Sequence, residues 1–328
     1  MEDIYGKILW EGYGLKYYGG KRTRTGLVCQ TDRGLRELKK ARSHKQEILF
    51  AHAVKTCLFC NGFSGICFFY TTLEGQPYWE CDGVCYVLED PMPGKAVEEE
   101  TAAHFVEGAS LMAKMHRAGI GLQYSKEDTR GEPLPQLWRR RLNEMAKMKR
   151  RMERKGGYSP LDLLVLRYYT PFFGRAEEAL ECLDASYADL CRIQRQEGTF
   201  CHNQFKGSHL YRREDGAWFV GGFEHCTSDV FVLDLASYLR RFWRKTEGTE
   251  EQLQQVLEAY LQMRPINAAE KEMLLPLTLY PIKFLRLIHE YDNKRRVCVS
   301  PAMQERLSAA AQEEEKIGAL GRLLERVL

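Results

Sequence analysis

The period of the sequence changes once, near residue 98, and that change limits the folds open to the chain. Before it, short strand-like runs alternate with glycine turns: YGLKYYGG at 13–20, GLVCQT at 26–31, a TDRG turn, and LRELKK at 35–40. Ile48, Leu49, Ala53, Leu58 and Cys60 lie near one side of a predicted helix over about Ser43–Cys60, with Ser43 as its N-cap. CFFYTTL and PYWEC then read as a strand pair turned at Glu74-Gly75-Gln76-Pro77, and CYVLEDPMPG as a buried strand entering a turn. After Glu98 the apolar spacing is helical. Helices are predicted at about Thr101–Arg117, Leu137–Lys155, Ser159–Arg167, Phe173–Arg195, Asp234–Lys245, Glu250–Met263, Ala268–Tyr291 and from Pro301 onward. One stretch interrupts them: TFCHNQFKGSHLYRREDGAWFVGGFE at 199–224, with a hairpin turned at Asp215-Gly216. The expected class is α+β in two lobes, a small antiparallel sheet with one helix over 1–93 and a larger helical lobe over 94–328 that carries the hairpin.

Composition narrows the function classes. With 328 residues, 44% of them hydrophobic, the chain can bury a sizeable core. A net charge of +3 is too small to argue for nucleic acid. No run of about 18 apolar residues is present, so no membrane span is expected. MEDIYGKILWEGYG has neither the basic start nor the apolar core of a secretion signal, and a cytosolic chain is expected. The eleven cysteines are odd in number and scattered, unlike a disulfide framework. Cys57-x-x-Cys60, with Cys81 and Cys85, would make a zinc site only if four thiolates converged; packing is the simpler reading, and no metal is expected. Trp138, Leu142, Met145, Met148 and Met152 form a narrow apolar stripe on a strongly basic helix. That pattern is a core stripe under a solvated face, with Arg139–Arg141 a candidate surface for an acidic partner.

The interrupting stretch has the spacing of a phosphoryl-transfer loop. Such a loop needs an aspartate for the acceptor hydroxyl, an asparagine five residues later for Mg²⁺, and a second metal-holding aspartate beyond a short hairpin. His202-Asn203-Gln204 stands at the first position, His209 five residues past Gln204, and Gly221-Gly222-Phe223-Glu224 after the hairpin; Asp234 opens LDLASYLRRFW ten residues later.

Taken in order, these motifs resemble the aminoglycoside phosphotransferase/choline kinase branch of the protein-kinase-like fold, and within it the CotS-like spore coat proteins. TDRGLRELKKAR is similar to the branch's Thr-Asp-x-Gly-x-x-x-Leu-Lys, LFAHAVKTCLFCNGF to its next helix, and LEGQPYWECDGVCYVLEDPMPGK to its strand pair and hinge. GASLMAKMHRAGIG resembles the Leu-Ala-x-Leu-His helix, and LYPIKFLRLIHEYDNKRR at 279–296 a segment characteristic of the coat proteins. The resemblance spans nearly the whole chain. It implies a two-lobed kinase-like fold with Lys39 as the nucleotide lysine, Glu47 as its partner on the next helix, and Glu89 at the hinge. His202 and Asp234 are then loop supports. Gly12, Gly14, Gly19 and Gly20 read as turn formers, with a phosphate-covering loop as the other assignment.

Three substitutions fall on the chemical positions. Gln204 can orient a hydroxyl but cannot take its proton. His209 offers nitrogen where a hard cation prefers oxygen, and Gly222 offers no side chain. Glu224 alone keeps an acid nearby. The expectation is a kinase-like frame with no competent catalytic residue and no cofactor. The resemblance implies a structural component of the spore coat, made in the mother-cell cytoplasm, with other coat proteins as partners. The alternatives are a small-molecule phosphotransferase using ATP and Mg²⁺ at a divergent site, or a nucleotide-binding switch without turnover.

Overall fold

The computed structural model describes residues 4–23, 26–41, 44–124, 132–154, 156–293 and 301–328. Ser43 and Cys298 lie outside them. Among the described residues the elements run α1 (Ile4–Tyr13), β1 (Tyr17–Arg22), β2 (Leu27–Thr31), β3 (Gly34–Lys40), α2 (Lys45–Cys60), β4 (Trp79–Cys81), β5 (Val84–Glu89), β6 (Lys95–Ala96), α3 (Ala102–Ala118), α4 (Leu134–Glu153) and α5 (Pro160–Glu197). They continue with β7 (Leu210–Arg212), β8 (Trp218–Val220), α6 (Val232–Thr246), α7 (Glu250–Leu261), α8 (Ala268–Leu279), α9 (Ile282–Asn293) and α10 (Pro301–Val327). The class is mixed α and β, with an antiparallel N-terminal sheet and a helical C-terminal part. Two compact units emerge: 1–99 with 110–129 and 194–234, and 100–109 with 130–193 and 235–328.

In the first unit an antiparallel sheet runs in the order β1-β2-β3-β5-β4. One face packs on α1, whose Ile8, Leu9 and Tyr13 join Leu27, Cys29, Leu38 and Leu88 in a buried cluster. α1 is absent from the sequence reading, although these residues fall on one helical side. Gly12 lets the Trp79 ring lie on this helix, since a Cβ there would come within 2.8 Å of it. The N-terminal glycines thus belong to α1, the turn after it and β1. β4 and β5 turn at Asp82-Gly83, both in the left-handed region (φ 51° and 72°). That Asp-Gly pair gives a tight hairpin. The chain does turn near the expected 74–77, with Gly75 N donating to Thr72 O at 2.9 Å and Thr72 N to Gln76 O at 2.8 Å, but CFFYTTL forms no strand; Ile66 and Phe69 make only isolated bridges, to Val220 and Glu89. β6, β7 and β8 form a second small sheet. Val220 N donates to Gly65 O at 2.8 Å, and α2 packs on the short 3-10 turn Phe223–His225, so the 194–234 stretch groups with the N-terminal residues.

In the second unit the stripe on α4 is buried throughout, and the Trp138 ring stacks on Tyr280 at 3.5 Å. Part of the basic face of α4 is paired within the chain. Arg139 pairs with Asp184, Arg140 with Glu132 and Glu144, and Arg141 lies 3.7 Å from Glu144. α5 is one helix through Pro171, where two were expected. Leu161, Val165, Tyr168, Phe172 and Ala176 continue one buried side across the proline, and that packing outweighs the lost backbone bond. The single helix expected over 268–291 instead breaks at Tyr280-Pro281 into α8 and α9. Arg240 donates to the carbonyls of Thr278 (2.6 Å) and Tyr280 (3.1 Å) there, and its other nitrogen to buried Glu314 at 2.8 Å.

Candidate functional site

The site lies within the first unit and starts from strand register. β3 and β5 pair antiparallel with Glu37 opposite Glu89 and Lys39 opposite Val87. Alternate residues of a strand share a face, so Glu37, Lys39, Val87 and Glu89 project to one side. Ile48, Ala51 and Lys55 recur at helical spacing on the side of α2 that faces them, and all seven residues are buried or half-buried.

These residues form a compact charge network. Glu89, 3% exposed, accepts from Lys39 through Oε1 and from Lys55 through Oε2 at 2.9 Å. Lys39 also lies 3.3 Å from Glu37, whose Oε1 accepts from Thr23 Oγ1 at 3.3 Å. The Lys55 ammonium, itself 3% exposed, sits 3.7 Å over the Phe69 ring. Burial opposes the Glu89 charge, but Lys55 and Lys39 more than offset it and hold the carboxyl below its usual range. For Lys39, burial lowers the pKa, and the two carboxylates outweigh it and raise it. Glu47 does not reach Lys39. It stands in the first turn of α2, where its Oε2 accepts from the His44 backbone N at 2.9 Å and closes the helix start. Glu89, expected to act through hinge backbone, instead presents its side chain. Lys55 and Glu37 were missed. The signal was available: a lysine inside the apolar run FAHAVKTCLF, seven residues after Ile48, falls on the buried side of α2.

The 202–209 loop is fixed from below. Asp234, buried, accepts from the backbone N of His202 (2.6 Å) and Asn203 (2.8 Å), and His116 Nε2 stands 3.3 Å from it. Asn203 adopts φ 62°, held by its side-chain donations to His225 O and Thr227 Oγ1, both at 2.9 Å. His202 Nε2–H donates to Gly221 O at 2.9 Å while its Nδ1 accepts from Gln204 N at 3.2 Å. Burial pushes this imidazole down to about 4, against the pull of Asp234, and it is neutral.

At the three chemical positions the geometry is equally definite. The Gln204 side-chain oxygen accepts from Lys206 Nζ at 2.5 Å. His209 lies 3.0 Å from Gln204 O through Nδ1; a carbonyl can only accept, so Nδ1 carries the proton and Nε2 is the basic nitrogen. Burial lowers the His209 pKa and favours this neutral form. Gly222 sits at φ 82°, and a Cβ there would collide with the His209 ring, with ring carbons 2.7 and 2.8 Å away. Glu224 occupies the exposed middle of the following 3-10 turn. Lys39, Lys55, Glu89, His209, Gly222 and Glu224 all line one cavity of about 250 Å³, with Ile48, Phe69, Val87, Met92, Tyr211 and Phe223 as its apolar walls. Among the described residues, no three His, Cys, Asp or Glu side chains converge closely enough to hold a metal ion.

Comparison with known proteins agrees with this architecture. An aminoglycoside phosphotransferase from Alicyclobacillus acidocaldarius superposes with a TM-score of 0.80 at 18% identity, over 96% of this chain and 93% of that one. A spectinomycin phosphotransferase gives 0.59 at 12% identity, covering 99% and 96%. A choline kinase from Cryptosporidium parvum gives 0.54 at 12%, covering 96% and 95%. Identities this low show the fold, which is kinase-like. Residues 7–320 match the sequence family described as "Spore coat putative kinase YutH". Nearly the full length is covered by that match, and the chain belongs to this spore coat kinase-like family.

Proposed function

We propose that the protein is a kinase-like frame without phosphoryl transfer, serving as a structural or assembly component of the spore coat. It is made in the mother-cell cytoplasm and joins other coat proteins there. The family name supports the coat assignment. No helix among the described residues is long and apolar enough to cross a membrane. The chemistry supports the lack of turnover, and one observation carries it: Gly222 has left-handed backbone with the His209 ring packed against it. A divalent ion on a triphosphate wants several oxygen ligands. Position 222 supplies none, position 209 supplies imidazole, and the Gln204 oxygen is engaged by Lys206. The residues therefore do not fit Mg²⁺–ATP. Lys39 is also matched by two carboxylates that a triphosphate would have to oppose. Replacing the aspartate of the loop removes general base catalysis, typically about 10²- to 10⁴-fold in rate.

A thermal-shift titration with ATP, with and without Mg²⁺, coupled to ADP detection, tests this. A ligand at a hundredfold excess over its Kd stabilises the folded state by about 2.7 kcal/mol. The expected result is no Mg²⁺-dependent shift and no ADP. A Mg²⁺-dependent shift with ADP formation makes the protein a phosphotransferase; a Mg²⁺-independent shift without ADP makes it a nucleotide-responsive switch.

A further inference from the structure

The cavity beside Gly222 has a chemistry of its own once phosphates are set aside. Its buried charged groups are paired with one another, Glu89 holding Lys39 and Lys55 and Lys39 also facing Glu37, while Lys40 and Glu224 line it from exposed positions. Two polar groups that line it are differently placed. The Tyr211 hydroxyl has no hydrogen-bond partner among the described residues. His209 uses Nδ1–H on Gln204 O, which leaves Nε2 as an acceptor with no partner among the described residues. The remaining wall is apolar, made by the Tyr211 and Phe223 rings with Ile48, Val87 and Met92, and the Phe69 ring lies beneath the Lys55 ammonium. A cavity of about 150 Å³ with apolar walls holds a benzene-sized molecule. At about 250 Å³ this one has room for a fused pair of rings, and is smaller than the range of roughly 300–1,000 Å³ common for larger ligands.

We infer that this cavity receives a small uncharged planar ring carrying an N–H or O–H donor, and that it selects against phosphorylated ligands. The inference rests on the reading of the site as one that does not hold Mg²⁺–ATP. The ring is gripped by the apolar walls, and its donor is accepted by His209 Nε2 or the Tyr211 hydroxyl. A triphosphate brings about four negative charges to lysines already neutralised by carboxylates, and no oxygen cluster brings a compensating metal. Added phosphates therefore weaken binding.

The test uses the full chain at pH 7.5 and isothermal calorimetry with three probes: benzimidazole, 1-methylbenzimidazole, and ATP with or without Mg²⁺. The first two differ by one N–H, and one such hydrogen bond changes affinity roughly three- to tenfold. Saturable benzimidazole binding is expected, weaker by that factor for the methylated ring, with ATP weaker than benzimidazole whether or not Mg²⁺ is present. His209→Phe, checked for an unchanged melting temperature, should narrow the difference between the two rings. Absence of saturable benzimidazole binding, or equal affinity for the methylated ring, overturns the inference and leaves the scaffold reading standing. Tighter ATP binding without turnover overturns the inference and makes the protein the nucleotide-responsive switch. Tighter, Mg²⁺-dependent ATP binding with ADP formation overturns both.

Discussion

Position 222 illustrates how one residue commits its neighbours. Its φ of 82° lies where a side chain is strained, and the His209 ring occupies the space a Cβ would take. Gly222→Asp therefore meets two penalties, left-handed backbone and overpacking, and should lower unfolding free energy by about 1–3 kcal/mol in urea titration. His209→Asn/Gly222→Asp should recover part of that loss by removing the ring, while the backbone strain stays. A double variant no more stable than the single one would show that the ring is not the obstacle. The composition of the loop was legible in sequence, because His202, Gln204, His209 and Gly222 sit at fixed spacings. The reason Gly222 is glycine was not, because it depends on a φ value and on a ring five residues beyond Gln204.

Among the elements, α2 and the sheet are joined by charge as well as by packing. Lys55 comes from the helix, Glu89 from β5, and Lys39 and Glu37 from β3. Breaking a buried ion pair from one side costs about 3–5 kcal/mol, because the partner is left buried and under-compensated. Lys55→Met should lose stability on that scale by chemical denaturation. Lys55→Met/Glu89→Met should regain most of it, since Lys39 keeps Glu37. If the double variant is as unstable as the single one, the pair is not what holds α2 down. Elements with strong periodic signals were legible: α2, β5, α3, α4 and the 210–220 hairpin lie close to where the spacing puts them. α1 was missed although its signal was there, whereas other differences reflect a local signal overruled by a competing one. The chain turns near Gly75 as expected, but β4 pairs with β5 through the Asp82-Gly83 turn and CFFYTTL forms no strand. Buried spacing carries α5 through Pro171, whereas Pro281 ends α8, with Arg240 taking the freed carbonyls. The network around Lys55 was hidden for a different reason, since it assembles across three elements from residues 34 and 50 positions apart.

For the whole molecule, the acid side of the stability curve follows from His202. Its folded pKa is about 4 and an unfolded histidine titrates near 6.5, so the unfolded chain binds the extra proton between those values. Stability contributed by its neutral burial is complete above about pH 6.5 and is lost as pH falls toward 4, at up to about 1.4 kcal/mol per pH unit. Asp234 adds a later step. Burial raises its pKa, but the hydrogen bond from His116 and the charge beside it outweigh burial and hold the carboxyl below its usual range. Its contribution is therefore present above the ordinary aspartate value near 4 and disappears below it. Urea titrations at pH 7, 6 and 5 should show the first slope, and His202→Asn should flatten it. An unchanged slope in that variant would assign the acid sensitivity to other groups.

The contact between Gly222 and His209 also bears on how a lineage can move. An acid gained at 222 by one substitution gives a protein less stable than its parent, because the backbone is left-handed and the ring is in the way. Room for a side chain at 222 requires a change at position 209 as well. The pair therefore works as a lock: leaving this arrangement takes two changes, and the one at 222 is unfavourable alone.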